Sequence, residues 1–223
     1  MPSHRSDVDQ LNDLAEEITR MIGYDNIATK TLSLPVKTKN ISKNFETSCR
    51  NFLVNTGFFE TINFPFNDNV DEAAISVDNP LDKQRSKMRV CITKSLKENV
   101  VYNQNRQKDS IKLFEFSDIY TKNENERKLS VMVCGRTNKN FREFNQQLDY
   151  SYLKGLICTI FEELLGEKPN FEEGKSDNYD LYEKIYFKGS HIGRIGRLSK
   201  NFVDSKVKTP VYSFEISIDD LKI

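Results

Sequence analysis

The sequence predicts an α+β domain in which helices pack on an antiparallel sheet. Three observations carry that reading. Across 152–165, Leu153, Leu156, Ile157, Ile160, Phe161, Leu164 and Leu165 fall on one side of a helix, and Gly166 closes it. The segments 111–120 and 128–136 alternate apolar and polar side chains with the period of a strand. Toward the C-terminus, 181–188, 191–198 and 211–218 repeat that alternation, with turn residues at Gly189-Ser190 and near Pro210, as in a β meander. Helices interleaved with tightly connected strands belong to a sheet with helices packed on it.

The remaining elements follow in chain order. Leu11, Leu14, Ala15, Ile18, Met21 and Ile22 share a helical face, with Asp9 as the expected N-cap and Gly23 as the C′ residue. The polar stretch 25–39, with Pro35, reads as a linker or an extended crossing segment. A second helix is expected over 42–55, with Ile41, Phe45, Cys49, Phe52 and Leu53 as its stripe and Gly57 as its end. The aromatic run 58–66 and the short run 74–77 read as strands, the latter stopping at Asn79-Pro80. A third helix is expected over 86–105, with Met88, Cys91, Ile92, Leu96 and Val100 as core positions.

Composition narrows the function. Lys plus Arg and Asp plus Glu are both 33, so the chain has no overall basic field for nucleic acid, although a local patch remains open. The sequence holds no apolar run of transmembrane length and no signal-peptide pattern, which points to the cytoplasm. Cys49, Cys91, Cys134 and Cys158 are scattered, and the only histidines are His4 and His191. Such spacing suits free thiols in a reducing compartment better than a zinc site.

Three constellations are candidates for chemistry. Asp13, Glu16 and Glu17 are spaced to share a helix face, and Asp7 lies just upstream. Hard cations such as magnesium take several carboxylate oxygens in this way. The same residues also suit a solvated face near the positive end of a helix. Gly193-Arg-Ile-Gly196 resembles the RNA-clamping GxxG loop of KH domains, but its surroundings read as strands, which favours a hairpin or bulge. Phe141-Arg142-Glu143 lacks the spacer of the ATP-binding Phe-Arg-x-Glu of class II aminoacyl-tRNA synthetases, and the Gly-rich segment ending in Glu-Arg is absent. No Walker A, dinucleotide fingerprint or GxSxG is present, so no catalytic residue is assigned.

Several segments, in order, resemble the β subunit of phenylalanine–tRNA ligase. They are Pro2-Ser-His-Arg-Ser-Asp-Val, Asp13-Leu-Ala-Glu-Glu-Ile-Thr-Arg-Met-Ile-Gly-Tyr-Asp-Asn-Ile27, Gly57-Phe-Phe-Glu-Thr-Ile-Asn-Phe64, and Asn79-Pro80 with Ser86-Lys-Met-Arg89. Leu113-Phe-Glu-Phe116, Asp149-Tyr150 with Leu153-Lys-Gly155, Ile192-Gly193 with Ile195-Gly196, and Phe214-Glu-Ile216 complete the series. Ser117 stands where that family usually has Gly, and Asn178-Tyr-Asp-Leu-Tyr-Glu-Lys184 replaces its Pro-Gly-Arg-x-Ala.

The resemblance implies that 1–30 is the end of a small helical domain carrying the acidic cluster. It implies that 31–223 is a class II synthetase-like domain, a catalytically inactive copy that does not itself bind ATP. Asp7, Asp13, Glu16 and Glu17 match the spacing of a magnesium site shared with the α subunit, and Arg5 and Arg20 are the rival basic partners. The implied assembly is an (αβ)₂ heterotetramer that uses ATP to join phenylalanine to tRNA(Phe), with no membrane involved. The helix at 42–55 is a candidate for its interface, a reading that competes with packing on its own sheet. The stop after Phe214-Glu-Ile-Ser-Ile-Asp-Asp-Leu resembles the archaeal and eukaryotic type, which has no anticodon-binding domain, and the start suggests a fragment. The alternative readings are a stand-alone RNA-binding or protein-interaction domain and, more remotely, a metal-dependent hydrolase.

Overall fold

The computed structural model describes residues 5, 7–30, 41–67, 72–82, 85–122, 125–137, 146–203, 207 and 209–221, with side chains from 45 onward in the helix that begins at Ile41. His4, Pro35 and the Phe141-Arg142-Glu143 triplet lie outside these residues. The chain divides into two compact units, Met1–Lys39 and Asn40–Ile223.

In the first unit, α1 spans Leu11–Ile22. Its N-cap is Gln10 rather than the expected Asp9, because Asp13 reaches back and its Oδ2 accepts the N–H groups of Gln10 (2.8 Å) and Asp9 (3.0 Å). That contact satisfies donors that every helix start leaves free. Gly23 ends the helix at φ 89°, donating its N–H to the Thr19 carbonyl as the sequence implied.

The second unit is built on a seven-stranded sheet of order β1-β4-β5-β9-β8-β7-β6. Its elements are α2 (Ile41–Asn55), β1 (Phe59–Glu60), β2 (Phe66–Asn67), β3 (Lys87–Met88), α3 (Thr93–Gln104), β4 (Ser110–Tyr120) and β5 (Asn125–Gly135). They continue with α4 (Tyr150–Leu165), β6 (Asn170–Glu173), β7 (Tyr179–Phe187), β8 (Ser190–Leu198), α5 (Lys200–Val203) and β9 (Val211–Ser217). β2 and β3 pair separately as a small two-stranded sheet.

The sheet is mixed rather than antiparallel. β1 pairs with β4 in parallel, Phe59 opposite Leu113, and α3 lies between them in the chain. A parallel pair needs such a crossover, whereas all the other pairs of the large sheet are antiparallel. The meander closes on a two-residue turn in which Lys188 (φ 48°) and Gly189 (φ 80°) are both left-handed, the geometry that matches strand twist in a tight hairpin.

Helices cover both faces. α2 and α4 lay Phe45, Cys49, Leu53, Leu153, Ile157 and Phe161 against the strand residues Phe114, Val131, Phe187 and Phe214. Phe161 sits edge-on between Phe45 at 6.5 Å and Phe187 at 5.1 Å. The stripe of α2 is therefore spent inside its own unit, which accounts for it without a subunit interface. On the other face, Ile92, Leu96 and Val100 pack on Ile111, Met132, Cys134 and Val211.

Three expected elements differ. The run 58–66 breaks into β1 and β2 around Pro65, which has no N–H for a ladder. The run 74–77 makes only isolated bridges at Ala74 and Ser76. The helix expected from 86 starts at Thr93, because Met88 and Arg89 donate their N–H groups to the carbonyls of Ile75 and Pro65 and so remain extended. Met88 and Cys91 are accordingly only half-buried, while Ile92, Leu96 and Val100 are core.

Candidate functional site: a charged row across the sheet

Cross-strand partners lie on the same face of a sheet. The register places Glu115 (β4) opposite Ser130 (β5), Ser130 opposite Glu215 (β9), Glu215 opposite Arg194 (β8), and Arg194 opposite Lys184 (β7). Five strands thus deliver one polar row, buried at Glu115 and exposed at Lys184. The row lies on the face that α3 covers, as Met132 and Val211 do.

Two carboxylates anchor the row. Glu115 pairs with Arg89, and both side chains are 2% exposed. Glu115 Oε2 accepts from Asn63 Nδ2 at 2.7 Å, its Oε1 accepts the Asn63 N–H at 3.3 Å, and Arg89 Nη1 donates to Ser95 Oγ at 3.0 Å. Glu215 Oε2 accepts three donors from the start of α3: the N–H groups of Ile92 (3.0 Å) and Thr93 (2.9 Å) and the Thr93 hydroxyl (2.8 Å). Its Oε1 accepts from Arg194 Nη2 at 3.0 Å. A buried charge without such partners would cost several kcal/mol. The positive end of α3 adds a favourable field at Glu215. Burial pushes the Arg194 pKa down, but the Glu215 carboxylate more than offsets this and the net direction is up.

In front of the row lies a cavity of about 270 Å³, lined among others by Lys128, Tyr182, His191, Arg194, Glu215 and Ser217. Lys128 is held by Glu126 at 2.7 Å, and the His191 ring packs edge-on against Tyr186 at 5.4 Å. Cys91 lies within electrostatic range of Glu215, and burial pushes its thiol pKa up, away from a reactive thiolate. Cys49 and Cys134 are buried free thiols pushed up to about 12. The oxygens of Glu115 and Glu215 all have donors already. The chemistry this arrangement supports is the locking of strands to a helix start.

The acidic residues singled out in the sequence belong to the first unit. Asp7 and Glu17 converge on one cation, the Arg5 guanidinium, at 2.9 and 2.5 Å. The two carboxyl pKa values are lowered mainly by Arg5, and Arg20 also reaches Glu17 at 3.2 Å. Asp13 is turned to its own backbone, which lowers its pKa, and Glu16 is exposed. Among the described residues, no group of three or more His, Cys, Asp or Glu stands close enough to hold a metal ion. Two of the four residues, Asp7 and Glu17, are thus neutralised by the Arg5 guanidinium.

Gly193 and Gly196 form no clamping loop; both lie inside β8. A Cβ on Gly193 would meet the Glu215 carbonyl oxygen at 2.1 Å, and one on Gly196 the Leu181 carbonyl oxygen at 2.0 Å. Their spacing serves close strand approach beside the row. The replaced segment at 178–184 forms the start of β7.

Sequence reasoning missed both ion pairs of the row, the buried Arg89–Glu115 and the half-buried Arg194–Glu215. Their signal is a glutamate between large apolar residues, Phe114-Glu-Phe116 and Phe214-Glu-Ile216, where a strand covered on both faces should be apolar throughout. Five of the segments that carry the resemblance meet here, contributing Asn63, Arg89, Glu115, Arg194 and Glu215.

The fold is a mixed seven-stranded sheet with helices packed on both faces. A pyrrolysyl tRNA synthetase from Desulfitobacterium hafniense superposes with a TM-score of 0.61 over 80% of this chain and 66% of that one, at 13% identity, a likeness of fold alone. The chain belongs to the family described as the phenylalanyl tRNA synthetase beta chain CLM domain, which matches residues 6–218. It is 30% identical to the phenylalanine–tRNA ligase beta subunit of Thermotoga maritima over the whole chain, and 28% identical to that of Ehrlichia canis over 97% of it. The chain spans 30% and 29% of those two proteins. Both relatives are bacterial, so they do not bear out the archaeal and eukaryotic type expected from the last residues.

Proposed function

We propose that this chain is a non-catalytic supporting domain of a phenylalanine–tRNA ligase β subunit. The single observation that carries the reading is the charged row. Glu115 and Glu215 occupy the middle of a synthetase-type sheet, and every oxygen they have is bound to this chain's own donors. A general base, a nucleophile or a cation clamp needs an uncommitted group in that place. Here the charges instead fix the segment Arg89–Thr93 and the start of α3 on the sheet.

The chemistry belongs, in this reading, to an α subunit. The assembly is an (αβ)₂ heterotetramer that consumes ATP to attach phenylalanine to tRNA(Phe) in the cytoplasm. No described helix is long and apolar enough to cross a membrane. Phe59, Ile62 and Phe64 support a subunit contact, since all three are at least 70% exposed beside the open edge of β1. Exposed apolar side chains at an open strand edge mark a protein-binding surface.

Asp7, Asp13, Glu16 and Glu17 are the residues we assign to a magnesium ion shared with the α subunit. Their spacing and the meeting of Asp7 and Glu17 at a cation support the assignment. The ion would neutralise the carboxylates and tie them to oxygen donors of the partner. In the chain alone, Arg5 takes that position.

The test is co-expression with the α subunit from the same source, followed by size-exclusion chromatography with light scattering. A complex of heterotetramer mass is the expected result. A well-folded chain that remains alone and instead binds RNA with steep salt dependence would replace this reading with the RNA-binding one.

A further inference from the structure

The segment 61–65 joins β1 to β2 outside both sheets, yet its burial alternates. Thr61, Asn63 and Pro65 are half-buried, whereas Ile62 is 96% exposed and Phe64 70%. That period of two is the period of a strand lying on a surface. The inward side is pinned at each step. Thr61 donates its N–H to the Phe114 carbonyl at 2.8 Å, and Arg89 donates its N–H to the Pro65 carbonyl at 2.7 Å. Between them Asn63 makes three bonds. Its N–H and Nδ2 donate to Glu115 at 3.3 and 2.7 Å, and its Oδ1 accepts from Asn99 Nδ2 of α3 at 2.9 Å. Asn63 thus ties the segment both to the buried row and to the helix that covers it.

We infer that Asn63 is a positioning residue for subunit association: it holds Ile62 and Phe64 exposed on a fixed backbone, ready for the α subunit. This rests on the reading that the α subunit covers the edge of β1. The physical basis is preorganisation. A loose segment must be ordered when it binds, and the lost freedom of its backbone and side chains is subtracted from the affinity. Here the ordering is complete on folding, because the buried Glu115 takes the Asn63 donors in the free chain. Two residues apart on an extended backbone, Ile62 and Phe64 stand about 7 Å from each other. Glu60, just before them, is already paired with Arg50 at 2.9 Å. The partner surface that fits is therefore apolar, with two hollows at that spacing.

The experiment measures the affinity of the whole chain for the α subunit in the wild type, Asn63→Ala, Ile62→Ala and the double variant, with the urea midpoint of each free chain beside it. Asn63→Ala is expected to weaken association about three- to tenfold and Ile62→Ala about tenfold. The double variant should lose clearly less than the product of the two, because a loosened segment no longer presents Ile62. A merely structural Asn63 would lower the urea midpoint, leave the affinity of the folded chain unchanged and show no coupling to Ile62. Unchanged affinity in Asn63→Ala, or losses that multiply in the double variant, overturns the positioning role and leaves the subunit contact standing. Equal affinity in Ile62→Ala and the wild type, or no association by either, overturns the contact and the inference with it. If Asn63→Ala fails to fold by circular dichroism, Asn99→Ala takes its place. It removes only the bond from α3, and about a twofold loss with the same coupling to Ile62 is expected.

Discussion

Glu215 of β9 stands directly opposite Arg194 of β8 and accepts a hydrogen bond from it at 3.0 Å, while its other oxygen closes the start of α3. One carboxylate therefore ties two strands and a helix that lie far apart in the sequence. Removing it strands three donors at the helix start and one guanidinium. Glu215→Ala is expected to destabilise the domain by about 2–4 kcal/mol, less than the loss of a fully buried pair because Arg194 still reaches solvent. Glu215→Gln, which keeps the shape and one acceptor, should cost about half as much. Urea denaturation gives both values, and a loss below about 0.5 kcal/mol for Glu215→Ala would mean that the row does not hold α3.

The glycines of β8 make a second claim on the same region. Gly193→Ala puts a Cβ at 2.1 Å from the Glu215 carbonyl oxygen, which is backbone and cannot step aside. The expected cost is about 1–3 kcal/mol, with the pairing of β8 and β9 disturbed. Gly155→Ala is the control, since a Cβ there meets nothing within 4 Å and the residue lies within α4. It should be neutral or stabilising by up to about 1 kcal/mol. If instead Gly193→Ala left stability unchanged and abolished RNA binding, the segment would be a nucleic-acid loop after all.

Much of this architecture is legible in the residues. The α4 stripe, the alternation of β4 and β5, and the meander depend on neighbours in sequence, so local pattern finds them to within a few residues. The segments that failed depend on distant partners. β1 is two residues long because its pairing with β4 is brief, and α3 begins late because Arg89 must first reach Glu115. The site was hidden for the same reason. Glu115 and Glu215 are a hundred residues apart, and only the register of β4, β5 and β9 puts them in one row. The acidic run of α1 drew notice because its members are close in sequence. Arg5 was visible there as a rival partner, but its bridging position was not.

Acid should weaken the second unit through Glu46. Burial pushes its pKa up, but hydrogen bonds from Arg127 and Arg50 more than offset this, and the net direction is down from 4.5. A folded pKa below the unfolded one gives stability that is complete above about pH 5. That stability is lost as pH falls through 4.5 and on through the folded value. The pair joins α2 to β5, with Arg127 Nη2 at 2.7 Å from Glu46 Oε1. Glu46→Gln should therefore lower the urea midpoint at pH 7 and narrow its fall between pH 7 and pH 4. An unchanged pH slope in Glu46→Gln would assign the acid sensitivity to other carboxylates.

The open edge of β1 separates subunit association from folding. Ile62 is 96% exposed, so a substitution there should leave the stability of the chain within about 0.5 kcal/mol. If an α subunit covers this edge, Ile62 becomes buried in the complex, and burial of an isoleucine side chain is worth about 1.5–3 kcal/mol. Ile62→Glu forfeits that burial and also places a charge in the contact. The affinity for the α subunit should fall at least about tenfold, with no change in the urea midpoint of the free chain. Val54→Glu, on the exposed side of α2, tests the competing surface in the same assay. Loss of affinity in Val54→Glu alone would move the interface to α2. Loss in Ile62→Glu alone would fix it at the sheet edge, where Phe59 and Phe64 are exposed on either side in the chain.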